Sequence, residues 1–230
     1  MSRSSRLRLL VLAGALGAAV VLWMTRETVL VGVARVLVAE DALQPVDVVV
    51  LSGAIPRAAA FEGSELYRAG HVRRALIVTW RPDPLTARVK ALGIPQPSPN
   101  ELIGEILERD GVPPAAIGVV PGDADGTESE IALVAGFVDQ NRPASLMYVT
   151  ARTHTARAKW LLARVVPKQV HLVVRASRFD RFSADGWWED RDQARDLMAE
   201  YLRWCNSVFL SDGFRRSVLP RAAGSPGLDD

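Results

Sequence analysis

Three side chains that can carry a positive charge stand together where a helix is predicted to begin. They are Arg152, His154 and Arg157, within the segment VTARTHTAR that covers residues 149–157. The first turn of a helix carries partial positive charge, so each cation there costs a few tenths to about 1 kcal/mol. An anion held between free backbone N–H groups and the side chains of His154 and Arg157, three residues apart on one face, would offset that cost. The segment therefore predicts an anion site, with a phosphorylated ligand.

Apolar runs of strand length alternate with segments of helical periodicity along the chain. The predicted strands are 47–51, 75–79, 117–120, 146–150 and 170–174, and the predicted helices are 58–69, 101–109, 128–140, 155–165 and 193–209. Strands that are apolar throughout are buried on both faces, which is typical of a parallel sheet between two helix layers. The sequence therefore predicts a Rossmann-like three-layer α/β/α domain with a mostly parallel sheet. The proline-rich segment 81–99 is predicted to be a loop.

Ligands of such domains bind beyond the carboxyl ends of the strands, where four loops should meet. Seven residues of these loops are candidates for ligand binding: Ser52, Gly53, Arg57, Thr127, Thr150, Arg152 and Arg157. His154 is the candidate for proton transfer, and Glu130 is the candidate for orienting or assisting it. Thr127 and Glu130 also have the spacing of a capping box, a role compatible with the first. The cations could instead pair with nearby acids at Asp123, Asp125 or Glu130.

Several classes of protein lack their signatures in this sequence. There is no Walker loop, no G-x-G-x-x-G after the first strand, no H-E-x-x-H and no G-x-S-x-G. The acidic segment from Asp123 is not a calcium loop, because its twelfth position is Val134 rather than Glu. The net charge is only +2, and no basic run is interleaved with aromatic residues. The sequence therefore predicts neither a metal site nor a nucleic-acid partner, and it identifies no cofactor.

An uncharged apolar run near the N-terminus, LLVLAGALGAAVVLWM at residues 9–24, is typical of a short membrane anchor. A cleaved signal peptide is the alternative, but its small-residue site at 13–15 falls too early to leave an adequate apolar region. Arg3, Arg6 and Arg8 precede the run, whereas Arg26 and Glu27 cancel after it. The positive-inside rule therefore places the N-terminus in the cytoplasm and the main domain outside it.

These features divide the chain into four parts. Residues 1–27 form a cytoplasmic tip and a single-pass anchor, and residues 28–45 form an amphipathic connector that is too short to span the membrane again. Residues 46–212 form the α/β domain. Residues 213–230 are predicted to be a disordered tail.

Several segments occur in the order and spacing of a known family. They are LVAEDALQPVDVVVL at 37–51, Arg57, ELYRAG at 65–70, Glu101, GVP at 111–113, Ile117, Thr127, Glu130, VTARTHTARA at 149–158, Trp187-Trp188 and Glu200-Tyr201-Leu202. Over residues 37–201 the chain resembles the YdcF, SanA and ElyC family of bacterial proteins, many of which carry an N-terminal anchor. Two loops depart from the family pattern: Ser52-Gly53-Ala54 stands where three glycines are usual, and Thr79-Trp80-Arg81 stands where Ser-Gly-Gly is usual. Larger side chains there should narrow the pocket.

The resemblance implies a Rossmann-like domain on the periplasmic side of the bacterial inner membrane, in envelope or cell-wall biogenesis. It implies no settled reaction, although nucleotide-like ligands including S-adenosylmethionine are associated with the family. An extracytoplasmic domain would seldom meet such ligands, so we expect an envelope phosphate such as a lipid-linked carrier. Two functions follow as expectations. The first is a hydrolase or transferase acting on an anionic substrate; the second is a non-catalytic binding or regulatory module with a degenerate pocket that acts through protein partners.

Overall fold

Five strands lie parallel in one sheet in the computed structural model, which describes residues 3–209, with side chains from Leu12 onward. They are β1 (Val46–Leu51), β2 (Val72–Trp80), β3 (Ile117–Ala124), β4 (Ser145–Thr150) and β5 (His171–Ala176). The strand order is β3-β2-β1-β4-β5. All five predicted strands are therefore confirmed. The predicted tail at 213–230 lies outside the described residues.

Seven helices accompany the sheet within residues 3–209: α1 (Arg3–Val36), α2 (Pro56–Arg68), α3 (Pro84–Ala91), α4 (Pro99–Arg109), α5 (Thr127–Asn141), α6 (Thr155–Val165) and α7 (Arg191–Phe209). Helices α2 and α4 contribute to the core on one face of the sheet, and α5 and α6 contribute to the core on the other. Successive residues of β1 face opposite ways, so Val49 belongs to the first core and Val50 to the second. The three-layer arrangement predicted from the sequence is confirmed.

One prediction of local structure is wrong. The segment 81–99 contains helix α3, which begins at Pro84 after Asp83. A carboxylate oxygen of Asp83 accepts a hydrogen bond from the backbone N–H of Leu85 at 3.0 Å. Asp before Pro is a helix-start signal, because Asp supplies the missing acceptor and Pro tolerates the first helical position. The abundance of proline in this segment obscured that signal.

The N-terminal helix α1 is unbroken, whereas the sequence predicted a separate connector after residue 27. Its part Leu12–Val36 is long and apolar enough to span a membrane, with a mean hydropathy of 1.5. The end of the helix packs on the domain, where Ala34 and Leu37 share a buried cluster with Trp187. The indole N–H of Trp187 donates to the carbonyl of Leu30 at 2.9 Å. The apolar helix therefore continues directly into its contacts with the domain.

The strand order reverses at β1, which lies between β2 and β4. The loop after β1 leads to a helix on one face, and the loop after β4 leads to a helix on the other. Such a switch point leaves a crevice at the carboxyl ends of the strands. The four loops predicted from the sequence to meet at this edge, residues 52–57, 79–81, 122–127 and 150–157, do meet there.

Candidate functional site

A cavity of about 600 Å³ opens at the switch point. The loops after β1, β3 and β4 provide one side of its wall, from Ala54, Gly126 and Ala151 among others, and α7 provides the other. Its volume is within the range of small-molecule sites. Along its wall lie four charged or polar side chains that contact one another. We call them the Glu200 cluster: Glu200, His154, Arg157 and Thr127.

The carboxylate of Glu200 is the hub of this cluster. Its Oε1 atom accepts from Nδ1 of His154 at 2.8 Å and from Nε of Arg157 at 2.6 Å. On the far side of the imidazole ring, Nε2 of His154 lies 3.4 Å from Oγ1 of Thr127. That hydroxyl also accepts from a terminal nitrogen of Arg157 at 3.3 Å. Glu200, His154 and Arg157 are all buried.

The charge state of Glu200 determines the tautomer of His154. Burial by itself raises the pKa of the Glu200 carboxyl, but hydrogen bonds and charge interactions with His154 and Arg157 outweigh it and bring the pKa to about 2. An ionised carboxylate can only accept hydrogen bonds, so the 2.8 Å contact with Glu200 assigns the proton to Nδ1 of His154. A terminal nitrogen of Arg157 also lies 3.1 Å from Nδ1, and with this tautomer that contact joins two donors. In the neutral ring Nε2 is then an acceptor that faces Thr127. This is the orientation that a general base requires.

The cations at the start of α6 are balanced within the protein. Arg152 lies 3.7 Å from the carboxylate of Glu40, and Arg157 is paired with Glu200. The N–H of Ala156 in the first turn of α6 donates to the carbonyl of Leu37 at 3.1 Å. Internal carboxylates and the carbonyl of Leu37 therefore take the place of the anion expected at this helix start. The sequence had named Asp123, Asp125 and Glu130 as the alternative partners. None of these pairs with Arg152 or Arg157, but Arg81 at the same edge lies 3.4 Å from the carboxylate of Asp125.

Two of the predicted ligand-binding arginines do not line the cavity. The Arg152 side chain points to Glu40, and Arg57 is exposed in the first turn of α2. Arg157 alone of the three contributes to the wall. A second arginine of the wall, Arg203, comes from α7 and lies 3.6 Å from Glu200.

A second polar cluster lies behind the wall. Glu130 is only 1% exposed and does not line the cavity, although the sequence predicted that it would. One of its oxygens accepts from the N–H of Gly53 at 3.0 Å and from the indole of Trp80 at 3.3 Å. The other accepts from Tyr148 at 2.8 Å and from Ser52 at 3.2 Å. These five residues are called the Glu130 cluster below.

All four donors to Glu130 are neutral, and burial raises the pKa of its carboxyl. Glu130 therefore joins β1, β2, β4 and α5 as a buried structural acceptor rather than as a group in contact with a ligand. The predicted capping box is also wrong. Gly126 is the N-cap residue of α5, and the hydroxyl of Ser129 accepts from the Gly126 N–H at 3.1 Å.

The Trp80 side chain covers the loop that follows β1. A Cβ atom at Gly53 would lie 2.5 Å from Cδ1 of the indole, so only glycine fits beneath the ring. Ser52 is fully buried and bonded to Glu130. The predicted binding residues Ser52 and Gly53 are thus held in the Glu130 cluster and do not reach the cavity, whereas Trp80 forms part of its wall. The indole of Trp80 closes the space above the loop that follows β1.

Thr127 and Thr150 both line the cavity, as predicted. Thr127 begins α5 and belongs to the Glu200 cluster. The buried hydroxyl of Thr150, at the end of β4, has no hydrogen-bond partner among the described residues. A buried polar group without a partner is uncommon in proteins.

Sequence reasoning missed Glu200 as a functional residue. Its signal lies within α7, where Leu197, Glu200, Tyr201 and Trp204 recur at i, i+3, i+4 and i+7. A carboxylate on the apolar stripe of a helix must be buried, and a buried carboxylate needs partners. That position therefore predicts a paired acid, although not the identity of its partners.

The charge of the wall limits what can bind. Among residues 3–209, five acidic residues line the cavity, namely Asp125, Glu128, Asp180, Asp196 and Glu200, against the two arginines Arg157 and Arg203. Arg157 also lies 3.6 Å from Glu128. These carboxylates would repel a ligand that carries several negative charges. Within the described residues, no three His, Cys, Asp or Glu side chains are grouped so as to hold a metal ion.

Comparisons with known proteins assign no family. No family model matches the chain, and no curated protein or solved structure matches it.

Proposed function

We propose that this protein is a membrane-anchored hydrolase or transferase that acts on a singly charged phosphate ester in the cavity beside the Glu200 cluster. The observation that carries the proposal is the orientation of His154. Glu200 holds Nδ1 at 2.8 Å, and the other ring nitrogen faces the cavity residue Thr127. A histidine fixed in this way moves protons at neutral pH, which typically contributes 10²–10⁴-fold to a rate.

The remaining groups have supporting roles. Arg157 supplies positive charge beside the reacting atoms, and its attachment to Glu200 fixes the guanidinium in position. The first turn of α5 begins at Thr127 and directs free N–H groups toward the same space. Both features favour the negative charge that develops on phosphoryl oxygens.

The acidic wall selects among phosphate ligands. A phosphomonoester carries up to two negative charges, whereas a phosphodiester carries one, so repulsion from Glu128 and the neighbouring carboxylates is smaller for the diester. We therefore favour a phosphodiester over the doubly charged phosphates among the ligands expected from the sequence.

The position of the cavity relative to the anchor favours a substrate of the membrane surface. Arg26 stacks on Trp23 at 4.2 Å, an arrangement typical of the end of a membrane span. The first contact with the domain, at Leu30, lies four residues further, or about 6 Å along the helix. Phe182 both lines the cavity and packs with Ala34 and Leu37. A phosphodiester that includes a lipid-linked carrier of the envelope fits this position, with the domain on the periplasmic side as the flanking arginines predict.

The test is an assay of the full chain in detergent with two chromogenic probes, bis(4-nitrophenyl) phosphate and 4-nitrophenyl phosphate. We expect release of nitrophenolate from the diester in preference to the monoester, and a loss of at least about 100-fold in His154→Ala. His171→Ala is the matched control, since the His171 side chain is exposed on β5 and, among the described residues, is hydrogen-bonded only to Gln44. Equal activity in the two variants would contradict the proposal.

The alternative is a non-catalytic binding or regulatory module that acts through protein partners. One observation favours it: each charged member of the Glu200 cluster already has an internal partner, an arrangement that also serves stability. Under this alternative, both phosphate probes are left unchanged and His154→Ala behaves like His171→Ala. Binding of a diester that is not consumed, measured by calorimetry, would favour the module over the enzyme.

A further inference from the structure

We propose that Thr127 is the nucleophile of this site, acting with His154 and Glu200 as a Thr-His-Glu triad. The inference rests on the proposed function. Its basis is a continuous set of contacts, from Glu200 to Nδ1 of His154 at 2.8 Å and from Nε2 to Oγ1 of Thr127 at 3.4 Å. A hydroxyl, a base within reach and a third group that orients the base are the parts of an activated nucleophile.

Thr127 is the hydroxyl residue of the wall that is placed for this role. Thr150 and Thr153 also line the cavity, but among the described residues only the Thr127 hydroxyl contacts Nε2 of His154. Ser52 does not line the cavity, and its hydroxyl donates to Glu130.

The local fold supports the assignment. Strand β3 ends at Ala124, a short turn through Gly126 follows, and α5 begins at Thr127. A strand–turn–helix junction of this kind exposes a side chain at the helix start beside unpaired N–H groups, which can hold the oxygens of a reacting group. The positive end of the helix also stabilises an alkoxide on the same residue.

The hydrogen bonds around Oγ1 set the direction of proton movement. Arg157 donates to Oγ1 at 3.3 Å, and because arginine has no acceptor, the hydroxyl proton is free to point toward His154. His154 in turn is an acceptor at Nε2, because Glu200 holds the proton on Nδ1. Removal of the Thr127 proton by His154 is therefore the transfer that this network allows.

With a phosphodiester, Oγ1 of Thr127 forms a bond to phosphorus while the bond from phosphorus to the leaving alkoxide breaks. The Thr127 proton passes to Nε2 of His154 and then to the leaving oxygen, releasing an alcohol and leaving a phosphothreonine diester. Water, or an acceptor alcohol for a transferase, then gives its proton to Nε2 and attacks phosphorus, and His154 returns that proton to Oγ1. No oxidant or reductant takes part.

The first experiment treats the full chain with an alkyl fluorophosphonate and locates the adduct by peptide mass spectrometry. Attack on this probe forms the bond from Oγ1 to phosphorus and expels fluoride, so labelling does not depend on recognition of a natural substrate. We expect the adduct on Thr127, retained in Thr127→Ser and lost in Thr127→Val and in His154→Ala. An adduct at another residue, or no adduct in wild type, would overturn the nucleophile assignment. Thr86→Val, on α3 away from the cavity, is the control and should label like wild type.

The second experiment separates this inference from the proposed function. In the diester assay, Thr127→Val should lose at least about 100-fold in rate and Thr127→Ser should keep activity within about tenfold. If Thr127→Val retains the rate while His154→Ala loses it, the enzyme stands and water rather than Thr127 is the nucleophile. Circular dichroism of each variant shows whether a loss comes from unfolding, and the Ser variant, which keeps the hydroxyl, tests the same assignment without that concern.

Discussion

Two buried glutamates at the same edge of the sheet have opposite acidities. Glu130 is 1% exposed and Glu200 is 2% exposed. Burial acts to raise the pKa of both carboxyls and prevails at Glu130, whereas at Glu200 hydrogen bonds and charge from His154 and Arg157 outweigh it and lower the pKa to about 2. Both carboxyls are nearly inaccessible to solvent, but the hydrogen-bond partners of Glu200 include a charged group that offsets burial, and those of Glu130 do not. The hydrogen-bond donors of Glu130 are neutral, whereas the guanidinium of Arg157 and the ring N–H of His154 keep Glu200 ionised.

The two carboxyls therefore have different roles, a structural one for Glu130 and a chemical one for Glu200. A carboxyl that is surrounded by neutral donors and closed off by Trp80 can join strands without taking part in a reaction. A carboxylate that is ionised, and whose histidine lines an open cavity, can hold that ring in one tautomer. Four predictions, in order of decreasing effect, test this division.

The largest effect is expected for Glu200→Ala. This change leaves the guanidinium of Arg157 buried without its main partner, which typically lowers the free energy of unfolding by about 3–5 kcal/mol. Urea denaturation of the full chain in detergent, followed by tryptophan fluorescence, measures it. Asp192→Ala on the same helix is exposed and should stay within about 0.5 kcal/mol of wild type. If Glu200→Ala lowers the free energy of unfolding by less than about 1 kcal/mol, Glu128 alone compensates the charge of Arg157.

The second effect is on the pH dependence of stability. The folded-state pKa of Glu200 is about 2 against 4.5 for the free side chain. Its contribution is therefore present above pH 4.5 and is lost as the pH falls toward 2, because the unfolded chain then binds the extra proton. The difference amounts to about 3 kcal/mol at most. Glu200→Gln should flatten the fall in unfolding free energy over this window, and Glu130→Gln should leave it unchanged. Parallel curves for wild type and Glu200→Gln would refute the assignment.

The third prediction concerns the covering of the Glu130 cluster. Gly53→Ala forces a Cβ atom against the Trp80 ring, which should lower the free energy of unfolding by about 1–3 kcal/mol. Most of that cost should disappear when Gly53→Ala is made in a Trp80→Ala background, because the ring is the obstacle. A double-mutant cycle of denaturation midpoints measures the coupling. Additive effects would mean that the strain arises elsewhere.

The smallest effect is expected for Glu130→Gln, at about 1 kcal/mol or less. The amide oxygen can accept from the fixed N–H donors of Gly53 and Trp80, and the amide N–H groups can face Tyr148 and Ser52, whose hydroxyls can reverse their roles. Glu130→Leu provides the contrast, since it leaves the fixed donors without an acceptor, at about 1–3 kcal/mol each. Equal losses for Gln and Leu would indicate that the negative charge, and not the hydrogen bonding, is what the cluster requires.

The sheet, its five strands and most of the helices could be predicted from the sequence, because apolar periodicity is a local property. Runs such as 47–51 and 146–150 can be buried only between two helix layers. The same local information indicated that His154, Arg157 and Thr127 would share one edge, since each follows a parallel strand.

Which charges meet depends on the tertiary structure. Glu200 lies 43 residues from Arg157 along the chain, and Leu37, whose carbonyl accepts from α6, lies more than a hundred residues from that helix. The acids considered from the sequence, such as Asp125, were those close to the arginines along the chain, and the acids of α7 were not considered. An external anion was therefore predicted in place of Glu200. Ion pairs form between elements that packing brings together, and the energy of a buried cation depends on whichever carboxylate is there, at any distance along the chain. The apolar periodicity of one segment therefore cannot identify a partner on a distant segment.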